Sequence, residues 1–64
     1  MDYIFEVKAI DADGTVTTDT IVDVMAADLA AATEKAEHAI WTMLGGERCG
    51  IQRNNIKATY VNSI

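Results

Sequence analysis

The stretch from Asp11 to Thr15 places two carboxylates and a hydroxyl at alternate positions around Gly14, which is how a calcium loop begins. A complete loop of that kind needs glycine at its sixth position, a bidentate glutamate at its twelfth and a helix on each side. Val16 and Val22 stand at those two positions, and strand-like runs flank the segment. The stretch is therefore read as a turn, because Asp13-Gly14 between two alternating apolar runs is a strong hairpin signal.

The remaining reactive side chains are isolated. His38 has no cysteine, aspartate or second histidine at ligand spacing, so it reads as a solvated residue. Cys49 is the one cysteine; it lies beside Arg48 in a glycine-flanked loop and has no histidine near it in sequence. A phosphate-cradling glycine loop and a serine nucleophile motif are both missing from the sequence. Neither an enzyme nor a bound cofactor or metal is expected.

The elements that would position these groups are legible from period. Tyr3 to Ile10 alternates Tyr3, Phe5, Val7 and Ala9 against Ile4, Glu6, Lys8 and Ile10, as a half-buried strand does. Val16 to Met25 is a second strand rich in threonine, valine and isoleucine. A two- or four-residue loop centred on Asp13-Gly14 sets Tyr3 against Val24, Phe5 against Val22, Val7 against Thr20 and Lys8 against Asp19, pairing apolar with apolar and base with acid. Asp28 suits the N-cap of a helix from Leu29 to about Leu44, and Gly45-Gly46 suits its left-handed end. Leu29, Ala32, Thr33, Ala36, Ile40 and Met43 form its expected apolar stripe. Glu47 to Asn55 reads as a loop, and Ile56 to Ile64 as a third strand with Ile56, Ala58 and Tyr60 facing the helix.

The expected fold class is α+β: one domain over residues 1–64, ordered β-β-α-β, with a three-stranded, mostly antiparallel sheet and one helix on one face. The third strand is placed beside the first, antiparallel to it, because that order centres the most apolar strand; a place beside the second, as a right-handed parallel crossover, is the alternative. Sixty-four residues give a stability of about 3 to 10 kcal/mol. A chain this small without disulfides often gains burial by self-association, so a homo-oligomer is expected. Neither a secretory signal pattern nor a bilayer-length apolar run is present, and the expectation is a cytoplasmic protein with no membrane partner.

Two surfaces attract notice. Trp41 lies about 120° around the helix from the stripe, at about 100° per residue, grouped with Ala30, Glu37 and Leu44. It is either covered by the loop from Arg48 to Asn55 or exposed as an anchor for a partner. Ile4, Ile10, Ile21, Met25 and Val61 share the other sheet face with Glu6, Lys8, Asp19, Asp23 and Lys57, a mixture that suits sheet-to-sheet dimerisation, with edge pairing of strands as an equally simple alternative. The net charge is −5, with nine carboxylates before Gly45 against Lys8 and Lys35, and with Arg48, Arg53 and Lys57 after it. An acidic body repels phosphates and suits a basic protein surface, which makes nucleic acid an unfavoured partner.

The order Tyr3-x-Phe5-x-Val7, Asp13-Gly14, Asp28-Leu29, Ala31-Ala32 and Ala36-Glu37 resembles the N-terminal domain of HicB-type antitoxins over about residues 3–44. That resemblance implies an acidic partial ribonuclease H-like fold that binds a small basic toxin, and it carries over no functional residue. The chain is also similar in type to short accessory proteins of bacteriophages, which implies binding to one host protein. The expectation is thus a non-enzymatic protein-binding module, with Trp41, Leu44, Arg48, Arg53, Ile4 and Ile21 as its candidate surface. The alternatives are a nucleic-acid-binding module using the basic end, or an antitoxin-like protein.

Overall fold

The computed structural model describes all residues from Met1 to Ile64. It contains β1 (Asp2–Ile10), β2 (Val16–Met25), α1 (Leu29–Met43) and β3 (Ile56–Ser63). The strands form one antiparallel sheet in the order β2-β1-β3, and α1 packs across one face of it. This is the expected α+β arrangement, with the most apolar strand in the centre.

Alternation in β1 sets the core. Tyr3, Phe5, Val7 and Ala9 are buried beneath Ala32, Ala36 and Ile40 of α1, and Ile56 of β3 completes a core of eight residues. Two alanines in the helix let its backbone lie close to the sheet, and Val22, Val24 and Ala58 close the sides. Tyr60 is half-exposed yet meets both Tyr3 and Phe5 edge-on, with ring centroids 6.3 and 6.2 Å away.

The hairpin keeps the expected register, with Tyr3 opposite Val24, Phe5 opposite Val22, Val7 opposite Thr20 and Lys8 opposite Asp19. Its loop differs. Ile10 pairs with Val16 and Ala9 with Thr18, so five loop residues are followed by a one-residue bulge at Thr17. An odd loop plus one extra residue restores the even parity that the side-chain pattern demands. Gly14 N–H donates to the Asp11 carbonyl at 3.1 Å, and only the glycine there has positive φ, at 89°; Asp13 does not. Although Lys8 lies opposite Asp19, its ion pair is with Glu6 on its own strand, at 3.9 Å.

Asp28 caps α1, accepting from the Ala31 N–H at 2.8 Å. The helix ends at Met43, with Leu44 as C-cap and both Gly45 and Gly46 left-handed. Its buried stripe is rotated from the expected one. Met43 is 66% exposed and Leu29 43%, whereas Glu37, Trp41 and Leu44 turn partly inward. The cause is the segment after Gly45: two short 3-10 turns, Gly46–Arg48 and Arg53–Asn55, lay it along that flank of the helix. In β3 a second bulge falls at Val61, since Phe5 faces Tyr60 and Ile4 faces Asn62. No helix is long and apolar enough to cross a membrane.

Candidate functional site

The residues expected to form a surface separate into two regions with different characters. At the helix flank, Trp41 and Leu44 are half-buried and pack against the core, and the loop that follows covers them. The Trp41 ring lies against Gly46 and borders an open depression of about 380 Å³ with Glu47, Gly50, Ile51, Gln52 and Arg53. Its Nε1–H is buried and has no acceptor within the protein. Cys49 is half-buried, and its sulfur meets the N–H and carbonyl of Ile51 at 3.4 and 3.5 Å.

Arg53 is turned inward. Its Nη2 donates to Glu34 Oε1 at 2.9 Å and its Nη1 to Glu37 Oε1 at 3.2 Å. Glu37 Oε2 accepts the backbone N–H of Ala58 at 3.0 Å. The Arg53 charge is thus neutralised by the helix, and the basic end keeps only Arg48 and Lys57 as exposed cations. The Glu37 contact also closes an edge. In β3 the N–H of Ala58 points away from β1, and a carboxylate occupies it where another strand would bind.

The opposite edge lies open. Met1 and Ala26 exchange two backbone hydrogen bonds, Ala26 N–H to Met1 O at 3.2 Å and the Met1 ammonium to Ala26 O at 3.4 Å. Antiparallel pairs alternate in bonding, so the ladder to β1 runs through Val24, Val22, Thr20 and Thr18. The backbone groups of Asp19, Ile21, Asp23 and Met25 consequently point outward, away from β1. Lys35 Nζ covers the Met25 carbonyl at 2.8 Å, whereas no side chain bonds to the backbone of Asp19, Ile21 or Asp23.

The side chains of those same residues line the sheet face that the helix leaves uncovered. Ile21 is 62% and Met25 68% exposed, and Asp19 and Asp23 flank Ile21 on the strand. Ile4 is half-buried beside Asp23 in the neighbouring strand, and Glu6 stands beside Ile21. Sequence reasoning placed these residues on one face. That their backbone is also the unpaired one is not legible in the sequence, because register alone does not say which pairs carry the hydrogen bonds.

The remaining reactive groups stay dispersed. Asp11 Oδ1 accepts the N–H groups of Asp13 and Thr15 at 3.1 and 3.0 Å, and Asp13 Oδ1 accepts Thr15 N–H at 3.2 Å, so these carboxylates close the turn. A side-chain hydrogen bond with Asp11, followed by those from Thr15, holds the Asp13 carboxyl below its ordinary value of 3.8. No group of three or more His, Cys, Asp or Glu is placed to share a metal ion. His38 sits on the exposed helix side, with its ring 6.0 Å from that of Trp41 and its Nε2 3.5 Å from the Thr42 hydroxyl.

No family model, curated protein or solved structure matches this chain.

Proposed function

We propose that this chain is a non-catalytic protein-binding module that holds a basic segment of a partner protein against the acidic strand β2, on the uncovered side of its sheet. The observation that carries the reading is the constitution of β2: exposed Ile21 and Met25 supply apolar area, and Asp19 and Asp23 supply unpaired charge beside them. Lys8 on the same face is paired with Glu6 and Lys57 stands on the far strand, so the unpaired charges flanking Ile21 on β2 are acidic and favour a partner of the opposite sign, both in steering and in register. The net charge of −5 acts in the same direction over longer range. The resemblances to HicB-type antitoxin domains and to phage accessory proteins agree with it, because both classes work by binding a protein.

Nucleic acid is the weaker reading. Arg53, the basic residue best placed to extend Arg48 and Lys57 into a patch, is bound to Glu34 and Glu37. A second copy of the chain is favoured by one observation, the exposed apolar residues Ile21, Met25 and Val61 on a protein with a core of only eight residues. Light scattering across a concentration series separates that reading from a monomer with a foreign partner.

The test of the main reading is affinity capture from the lysate of the native host, comparing the wild type with the double variant Asp19→Lys, Asp23→Lys. A protein retained by the wild type and lost from the variant supports it. Equal retention by both removes the acidic strand from the account.

A further inference from the structure

Resting on that reading, we infer that the partner adds a β-strand to the free edge of β2, and that the segment alternates basic, any, apolar, any, basic. The inference joins two features of Asp19, Ile21 and Asp23 that one strand register sets together. Their backbone N–H and C=O groups point outward with no partner, and their side chains share the uncovered face. A strand that pairs with them meets both features at once, since directly opposed residues in a ladder place their side chains on the same face.

Chemistry then fixes the partner. The residue opposite Ile21 is apolar, and those opposite Asp19 and Asp23, two positions either side, are lysine or arginine. The pattern is symmetric, so it holds for either strand direction. The intervening residues fall beside Thr20 and Val22 on the helix side, where small or β-branched side chains fit.

The two edges are treated differently in this protein. On β3 the outward N–H of Ala58 is occupied by Glu37, and the strand is bulged at Val61. On β2 the run from Thr18 to Met25 has no proline, lysine or bulge. The charge also disfavours a second copy at this edge. Pairing β2 with its own image about Ile21 sets Asp19 of one protomer against Asp23 of its partner, twice, and like charges directly opposed are destabilising.

The experiment adds a short blocked peptide with Lys-Thr-Val-Thr-Lys at its centre to the full chain at low salt and follows the backbone amide spectrum and hydrogen exchange. A peptide with Glu-Thr-Val-Thr-Glu at its centre is the control. The expected result is saturable shifts and slowed exchange at Asp19, Ile21 and Asp23 with the lysine peptide, and binding about tenfold weaker or worse with the control. Ile21→Pro removes one outward N–H and leaves the ladder to β1 intact, so it is expected to abolish binding. Should that variant unfold, Asp19→Lys with Asp23→Lys tests the same point by reversing the preference toward the glutamate peptide.

Binding of the lysine peptide with the three amides unaffected overturns strand addition and leaves the basic-partner reading standing. Absence of binding by either peptide overturns the inference, as does concentration-dependent protection of these amides in the protein alone, which assigns the edge to a second copy. Failure of the underlying reading has a separate signature: the captured natural partner is retained equally by the wild type and the charge-reversed variant.

Discussion

Glu37→Ala is the substitution whose cost can be worked most closely from the structure. The carboxylate is 18% exposed and answers two groups, the Arg53 guanidinium at 3.2 Å and the Ala58 N–H at 3.0 Å. A hydrogen bond to a charged acceptor contributes about 1.5 to 3 kcal/mol, and a partly exposed ion pair adds under about 1 kcal/mol. Arg53 keeps Glu34 as a second partner, which limits the loss on that side. The expected cost is therefore about 2 to 3 kcal/mol, a large share of a total stability of about 3 to 10 kcal/mol. Glu34, 72% exposed and bonded only to Arg53, is expected to cost at most about 0.5 kcal/mol when replaced by alanine. Glu37→Gln keeps an acceptor for Ala58 and removes the charge, so it should fall between the two. Urea unfolding with linear extrapolation measures all three, and hydrogen exchange at Ala58 reads the contact directly. A Glu37→Ala variant as stable as Glu34→Ala, with Ala58 exchange unchanged, would refute the assignment of Glu37 as the group that closes the β3 edge.

Other expectations follow from single contacts. Trp41→Phe removes a buried N–H that has no acceptor and should change stability by less than about 1 kcal/mol, whereas Trp41→Ala should cost about 3 kcal/mol; chemical denaturation separates them. Gly14→Ala has open space for its Cβ but a φ of 89°, so it should destabilise by about 1 kcal/mol through backbone strain alone, seen as a lowered urea midpoint. The Asp13 carboxyl should titrate below 3.8 in the folded chain, as followed by its side-chain carbonyl resonance. Because that value is lowered, the contribution of the turn is present above the unfolded value of about 3.8 and is lost as pH falls through the lower folded value. Calcium added up to micromolar concentrations should leave the amides of residues 11–19 in place, since Asp11 and Asp13 already accept backbone N–H groups within the turn.

The sheet was readable because its signals are local and periodic. Tyr3, Phe5, Val7 and Ala9 alternate without interruption, and Val22 and Val24 answer them across a glycine turn, so register followed. Strand order rests only on a preference for centring the most apolar strand, which the sheet order β2-β1-β3 bears out. The bulge at Thr17 was hidden because an even loop and an odd loop with one extra residue give the same pairing beyond it. The helix face was harder to read. Met43 fits the apolar spacing but stays exposed, and Trp41 and Leu44 turn inward toward a loop whose residues carry no period. The contacts of Arg53 with Glu37 and of Glu37 with Ala58 span 16 and 21 positions, and no local pattern announces them. Arg53 accordingly reads in sequence as a free cation, while in the fold it fastens the loop to α1.

The central claim is that the acidic strand β2 grips a basic partner. Its most direct measurement is the affinity of the captured partner for the wild type and for Asp19→Lys, Asp23→Lys, each titrated calorimetrically at low and at high salt. The expected result is a wild-type affinity that falls as salt rises, and a double variant weaker by about tenfold or more at low salt with little salt dependence left. Equal affinities for the two proteins at low salt would contradict the claim.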